Sequence, residues 1–229
     1  MQLSIFVMRK QNFCMQKIKN IILDYGNVIF MIDFLKVREA FTALGIKNVD
    51  DFFGHHGQDS LFDSFDRGDI TISEFRNGVR EKAGNNDLTD EQIDHAWNAL
   101  LLGVPEGKHE VLQELHQHYR TFLLSNNNEL HYDFCMNHIS EKYGVSNNDQ
   151  FFEKTYYSHI ERLRKPGKEI FQRVLNDNNL QPQETLFIDD SPQHLKTADE
   201  LGINTVLCTK ERPLETIVKD LNLLPDYSF

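Results

Sequence analysis

Leu186-Phe187-Ile188-Asp189-Asp190-Ser191-Pro192 packs a strand, a turn and a helix start into seven residues. The apolar run has strand length and β-forming character. Ser191 is a good N-cap. Pro192 suits the first helical position, where its fixed φ is already helical and its missing N–H would have no intrahelical partner anyway. Leu195, Ala198 and Leu201 then form one buried stripe, and Gly202 ends the helix. A strand running into a helix is the unit of a parallel α/β sheet. It places Asp189 and Asp190 at the strand's carboxyl end, facing a helix N-terminus.

Outward from this stretch, similar short apolar runs end in polar residues. Ile21 to Leu23 precedes Asp24, Phe122 to Leu124 precedes Ser125-Asn126, and Thr205 to Leu207 is a fourth. Helical patterns separate them. Glu169 to Asn179 follows Lys165-Pro166 and puts Ile170, Val174 and Leu175 on its inner face. Residues 34–104 read differently, with helical periodicity and no convincing strand. Phe34, Val37, Phe41 and Leu44 form one stripe, Thr71 with Glu74 and Thr89 with Gln92 have capping-box spacing, and Ile93, Ala96, Trp97, Leu100 and Leu101 form the last stripe. The expected organisation is a loose tail over 1–16, an α/β core from 17–33 and 105–229, and an inserted helical cap over 34–104.

Composition narrows the function classes. A formal charge of −11 over 229 residues lacks the basic footprint that nucleic acid requires. No apolar run reaches membrane-spanning length. The apolar start Met1 to Met8 has Arg9 and Lys10 after it instead of before it, against a secretory signal. Cys14, Cys135 and Cys208 are odd in number and form no CxxC pair, which reads as a reducing cytoplasm. The ten histidines show no His-x-x-x-His spacing and read as surface residues; His55-His56 fall in a polar loop, and His131, just after Ser125, is the one placed to touch a substrate. Trp97 reads as cap core, and Arg67-Gly68-Asp69 as a solvated cap turn.

Asp24, Ser125-Asn126, Lys165-Pro166 and Asp189-Asp190 together supply a nucleophile, a hydroxyl donor, a cation and a metal-binding acidic pair, the parts of a phosphoryl-transfer site. Each has a bland alternative: a strand-ending turn, a helix cap, a solvated loop lysine, a negatively charged helix start. In this order and at these spacings they resemble the haloacid dehalogenase superfamily, specifically its phosphatases with a helical cap inserted after the first motif. The resemblance covers the chain from about residue 18. Asp24-Tyr25-Gly26-Asn27-Val28, Leu124-Ser125-Asn126 with Asn128, and Arg164-Lys165-Pro166 are similar to the bacterial branch that includes sugar 1-phosphate phosphatases.

That resemblance implies a doubly wound, Rossmann-like parallel sheet with the strands of Asp24 and Asp189 side by side where the winding reverses, the place where open α/β sheets bind ligands. It implies that Asp24 attacks phosphorus to form an aspartyl-phosphate. Asp24, Asp189 and the backbone carbonyl of Gly26 would hold Mg²⁺, with Asp190 beside them. Ser125 and Asn126 would hydrogen-bond the phosphoryl oxygens, and Lys165 would bridge Asp24 and the phosphate.

One departure stands out. Most phosphatases of the superfamily carry Asp two residues after the nucleophile as general acid and base, and here that residue is Gly26. A positioned proton donor is worth ~10²–10⁴ in rate. Three expectations follow: substrates whose leaving group needs little protonation, such as anomeric or acyl phosphates; a substitute among Asp33, Asp190 and His131; or a phosphate-binding regulator without turnover. A 2-haloacid dehalogenase is the competing chemistry, but it needs no metal and usually lacks the acidic pair. The expectation is a cytoplasmic Mg²⁺-dependent phosphatase of small phosphorylated metabolites, sugar phosphates foremost, with no nucleic-acid or membrane partner. The sequence carries no sign of an oligomeric state.

Overall fold

The computed structural model describes residues 18–46, 49 and 60–225, so the expected tail over 1–16 (with Cys14) and the His55-His56 loop lie outside the described residues. In chain order, β1 (Asn20–Leu23) leads through a tight return to β2 (Met31–Ile32), and helices α1 (Phe34–Ala43), α2 (Ser60–Asp66), α3 (Ile72–Ala83) and α4 (Asp90–Asn98) follow. β3 (Leu101–Gly103), α5 (Lys108–His118), β4 (Arg120–Ser125), α6 (Glu129–Tyr143), β5 (Lys154–Tyr157) and α7 (Ser158–Glu161) come next. α8 (Lys168–Asp177), β6 (Thr185–Asp189), α9 (Pro192–Glu200), β7 (Asn204–Leu207) and α10 (Leu214–Asp220) complete the chain.

Five strands form one parallel sheet in the order β5-β4-β1-β6-β7. From β1 the chain builds leftward through β4 and β5, then crosses to build rightward through β6 and β7. The winding therefore reverses between β1 and β6, which pair in register from Asn20 with Thr185 to Leu23 with Ile188. Every residue of β1 and β6 is buried. A parallel sheet covered on both faces needs apolar residues on both, so its strands read as continuous apolar runs. Successive residues still part ways. Ile21, Leu23 and Ile188 pack with Leu112, Ile139 and Ile217 of α5, α6 and α10, while Ile22, Phe122 and Phe187 pack with Phe171, Val174 and Ala198 of α8 and α9.

Helices α1 to α4 close around their own core of Val37, Phe41, Phe62, Phe65, Phe75 and Trp97. The rings of Phe62 and Trp97 stack at 5.0 Å, and those of Phe65 and Phe75 at 4.2 Å. Thr71 with Glu74 and Thr89 with Gln92 both close as capping boxes, satisfying N-terminal N–H groups that the helices cannot satisfy themselves.

Four local expectations need correction. A strand, β3, lies within 34–104: α4 ends at Asn98, and Leu101, expected on its stripe, instead pairs with Ile32 in an antiparallel ribbon. β5 was not expected, because its sequence Lys-Thr-Tyr-Tyr opens on a charge and only the tyrosines are buried, as suits a sheet edge. Phe34 is 50% exposed instead of joining the α1 stripe, since it sits in the first turn of the helix. Ser191 occupies the N-cap of α9, yet its side chain makes no capping bond; its N–H donates to Asp189 Oδ1 at 2.7 Å.

Candidate active site

Asp24 leaves the end of β1 and Asp189 ends β6, so the sheet itself sets them side by side; the Asp24 N–H donates to the Ile188 carbonyl at 3.0 Å. Ser125 ends β4 on the other flank of β1. Lys165 reaches in from the connection between α7 and α8. Its Nζ donates to Asp24 Oδ1 at 2.7 Å and to Asp189 Oδ2 at 2.6 Å, and the residue is 0% exposed. The solvated-loop alternative for Lys165 is thereby excluded. Asn126 has a different task from the one expected: its Nδ2 donates to the Lys165 carbonyl and its Oδ1 accepts the Lys165 N–H, both at 2.9 Å. Its side chain fixes the lysine's main chain, leaving Ser125 Oγ as the side-chain hydroxyl at this strand end.

The two carboxylates that share Lys165 differ in their other partners. Asp189 also accepts from the Ser191 N–H and lies 3.0 Å from His194 Nδ1. Burial raises its pKa, but Lys165 and His194 outweigh burial and hold it below the ordinary value. Asp24 lacks those extra donors. Burial pushes it up, Lys165 opposes this, and the neighbouring Asp189 and Asp190 push it further in the same direction. For Lys165, burial disfavours the ammonium, yet Asp189 and Asp24 more than compensate, so it stays charged. Burial also raises Asp190, whose Oδ2 accepts from Asn27 Nδ2 at 2.9 Å.

Asp24, Asp189 and Asp190 each present an oxygen, and these oxygens lie within 4.8 Å of one another. Three carboxylates around one ammonium make a hard, oxygen-rich and net negative donor set. It fits a small divalent cation such as Mg²⁺, which favours a few carboxylates and keeps several waters. The described histidines form no such group.

A cavity of about 640 Å³ opens over these residues. Asp24, Ser125, Lys165, Asp190 and His194 line one end, and Ile32, Phe34, Arg38, Asp66, Trp97 and Leu101 line the part toward the helices. Trp97 is thus both core and wall. The surface reading of the histidines fails at His109 and His131, which are buried. His131 Nε2 lies 3.1 Å from the Trp97 carbonyl, so it carries the proton, and Nδ1 accepts from Asn128 Nδ2 at 3.1 Å. With both nitrogens engaged, burial drives its pKa down to about 4. Asp33 is the N-cap of α1, its Oδ1 accepting the Leu35 N–H, and it does not line the cavity.

The helical unit rests on the loops that carry the site. Asn128 Nδ2 donates to Asp66 Oδ1 at 3.0 Å, and its Oδ1 accepts from Trp97 Nε1 at 3.2 Å. Arg164, next to Lys165, pairs with Asp63 of α2. Gly68 has φ +69°, and a Cβ there would stand 2.3 Å from the His159 carbonyl oxygen, so the Arg67-Gly68-Asp69 turn is a seat on the core and not merely solvated. Sequence reasoning missed Asn27, Asn128, Arg164 and His194 as participants. Asn27 and Asn128 lie within quoted motifs, but nothing in the sequence distinguishes their side-chain bonds from turn chemistry. His194 follows Asp189 by five residues, a spacing that a strand-to-helix turn folds back on itself.

Comparison with known proteins gives the family and the fold. A family model for haloacid dehalogenase-like hydrolases matches residues 18–202. A D-ribitol-5-phosphate phosphatase of Bacteroides thetaiotaomicron is 32% identical over 188 residues, covering 82% of this chain and 90% of that protein. A HAD-family enzyme from the same organism, crystallised with magnesium and inorganic phosphate, is 37% identical with a TM-score of 0.76 over 84% of this chain and 94% of its own. A HAD-like hydrolase of Porphyromonas gingivalis is 30% identical with a TM-score of 0.78 over 92% of this chain and 99% of its own. With a family model spanning residues 18–202, a relative 32% identical over 82% of the chain and a solved structure of matching fold, the chain belongs to the haloacid dehalogenase-like hydrolases and is an enzyme of that family.

Proposed function

We propose that the chain is a cytoplasmic, Mg²⁺-dependent phosphomonoester hydrolase acting on small phosphorylated metabolites, sugar or polyol phosphates foremost, through an aspartyl-phosphate on Asp24. The observation that carries the reading is the buried Lys165 bridge between Asp24 and Asp189 within a three-carboxylate cluster. The relative named as a ribitol 5-phosphate phosphatase and the neighbour holding magnesium and phosphate support it.

In this mechanism Asp24 attacks phosphorus, and the P–O bond to the leaving group breaks; water then attacks the aspartyl-phosphate and returns the carboxylate. Mg²⁺, held by Asp24, Asp189, Asp190 and the Gly26 carbonyl, would supply charge neutralisation at the phosphoryl oxygens. Lys165 offsets the repulsion between an attacking carboxylate and a phosphate dianion, and Ser125 Oγ donates to a phosphoryl oxygen. Asn126 acts through Lys165, whose backbone it clamps. The core, residues 17–33 and 105–229, carries these groups, and the helical cap over 34–104 encloses the leaving-group side and excludes water.

Phosphate release from 4-nitrophenyl phosphate with Mg²⁺ tests this. Asp24→Asn and chelator should each abolish release, the substitution by at least roughly 10³-fold. Equal rates for wild type and Asp24→Asn, or dechlorination of a 2-chloro acid that survives chelator, contradict the proposal.

A further inference from the structure

Ser158, the first residue of α7, ties the helical cap to the loop that follows Ser125. Its Oγ accepts the Asn127 N–H at 2.8 Å and lies 2.5 Å from the Asp66 carbonyl oxygen and 2.9 Å from that of Asn127. One hydroxyl thus sets the end of α2 against the loop between β4 and α6. Asn128 joins the same two residues through their side chains: its N–H donates to Asn127 Oδ1 at 2.8 Å, and its Nδ2 donates to Asp66 Oδ1 at 3.0 Å. Asp66 and Asn127, remote in sequence, are therefore held side by side, and both line the cavity over Asp24.

The two side chains offer complementary groups. Because a backbone N–H binds Asn127 Oδ1, the other amide atom is the Nδ2 donor. That donor has no hydrogen bond to a described residue, although Asn127 is only 5% exposed. A buried amide donor without a partner is unfavourable, and the cavity that Asn127 lines is where a partner can enter. Asp66 is the matching acceptor. A carboxylate has about four lone-pair sites, and Asn128 takes one of them. Arg164 Nη2 stands 3.9 Å from Asp66 Oδ2, and Arg164 also pairs with Asp63. This cation offsets a negative charge that would otherwise oppose an incoming phosphate.

We infer that Asp66 and Asn127 are specificity-determining residues that read a hydroxyl group on the leaving-group side of the substrate. A hydroxyl donates and accepts at once, so it can give its hydrogen to the Asp66 carboxylate while taking one from Asn127 Nδ2. An alkyl chain in the same place leaves both polar groups without that partner, the arrangement that discriminates most steeply against an analogue lacking the hydroxyl. Within the phosphatase reading, on which this inference rests, the pair selects esters of polyhydroxylated chains and rejects plain alkyl phosphates. Asp66 comes from the cap and Asn127 from the core, so the pair is complete only while the cap is seated.

The test uses two matched pairs with Mg²⁺: ribitol 5-phosphate against n-pentyl phosphate, and glycerol 3-phosphate against n-propyl phosphate. Each pair keeps the chain length and the primary ester and differs in the free hydroxyls. Asp66→Asn and Asn127→Asp preserve side-chain shape and the oxygen that binds Asn128, while each changes one half of the donor–acceptor pair; thermal melts check folding. Wild type is expected to favour the hydroxylated member of at least one pair by about 10²-fold or more in kcat/KM. Each substitution should cut that ratio by at least about tenfold, chiefly through a higher KM for the hydroxylated member. A wild-type ratio near one in both pairs, or substitutions that slow both members alike and leave the ratio unchanged, overturns the inference while the phosphatase stands. Turnover of 4-nitrophenyl phosphate with neither hydroxylated ester cleaved does the same. No turnover of any of these phosphates by wild type overturns the phosphatase reading itself.

Discussion

Replacing Lys165 with methionine isolates the electrostatic core of the site. Methionine approximates the lysine stem in volume but brings no charge and no donor. The wild-type ammonium lies 2.7 Å from Asp24 and 2.6 Å from Asp189, with Lys165 and Asp189 side chains at 0% exposure. The variant therefore leaves two adjacent, buried carboxylates without their shared cation. Removing one partner from such a cluster typically costs about 3–5 kcal/mol, because desolvation of the remaining charge goes uncompensated. Two like charges at this distance also favour taking up a proton, as burial and its acidic neighbours already do for Asp24. In the variant the folded state then binds more protons than the unfolded chain, so its stability rises as pH falls and the deficit against wild type shrinks. Urea denaturation in chelator, at about pH 7.5 and about pH 5, reads both effects, and the loss should be roughly 3–5 kcal/mol at the higher pH and clearly smaller at the lower. Millimolar Mg²⁺ should raise the variant's Tm more than that of wild type, since a cation at the three carboxylates replaces the missing one. A deficit below about 1 kcal/mol at the higher pH, or one that does not shrink on acidification, refutes the reasoning.

Further predictions concern the seat of the helical unit and the buried imidazole. Gly68→Ala combines a left-handed backbone with a Cβ against the His159 carbonyl; it should cost at least about 2 kcal/mol in urea denaturation, and loss of less than half that would mean the turn does not bear on the core. Asn128→Ala removes the bonds to Asp66 and Trp97 and should destabilise by about 1–3 kcal/mol while raising KM more than it lowers kcat, a split that steady-state kinetics resolves. His131, held at about 4 by burial, stays neutral in the fold while the unfolded imidazole titrates near its ordinary value of 6.5. Between those values the unfolded chain binds the extra proton, so stability should fall as pH drops through this window, and the fall should be shallower in His131→Gln.

The readable part of this molecule was the part where one physical demand dominates. Strands β1, β4 and β6 are short apolar runs because a doubly covered parallel sheet requires them, and the capping boxes of α3 and α4 are written in two residues each. Asp24, Ser125, Lys165 and Asp189 were legible because strand ends and helix starts mark their positions. What escaped was set by tertiary contact. β5 opens on a charge, and the strands of the β2–β3 ribbon are too short to declare themselves. The commitment of Asn126 to the Lys165 backbone joins residues 39 apart in sequence. The closeness of Ile32 to Gly26, with a Cβ at position 26 lying 3.2 Å from Ile32 Cδ1, comes from a return of the chain that only the folded backbone reveals.

The account turns on a covalent bond to one oxygen of Asp24. Rapid acid quench during turnover with Mg²⁺, followed by borohydride reduction and peptide mass spectrometry, converts an acyl phosphate at that residue to homoserine. Homoserine at position 24 alone, absent from the Lys165→Met variant and from unreacted enzyme, is the predicted result. Turnover that leaves Asp24 unmodified, or places the phosphate on any other residue, contradicts the account.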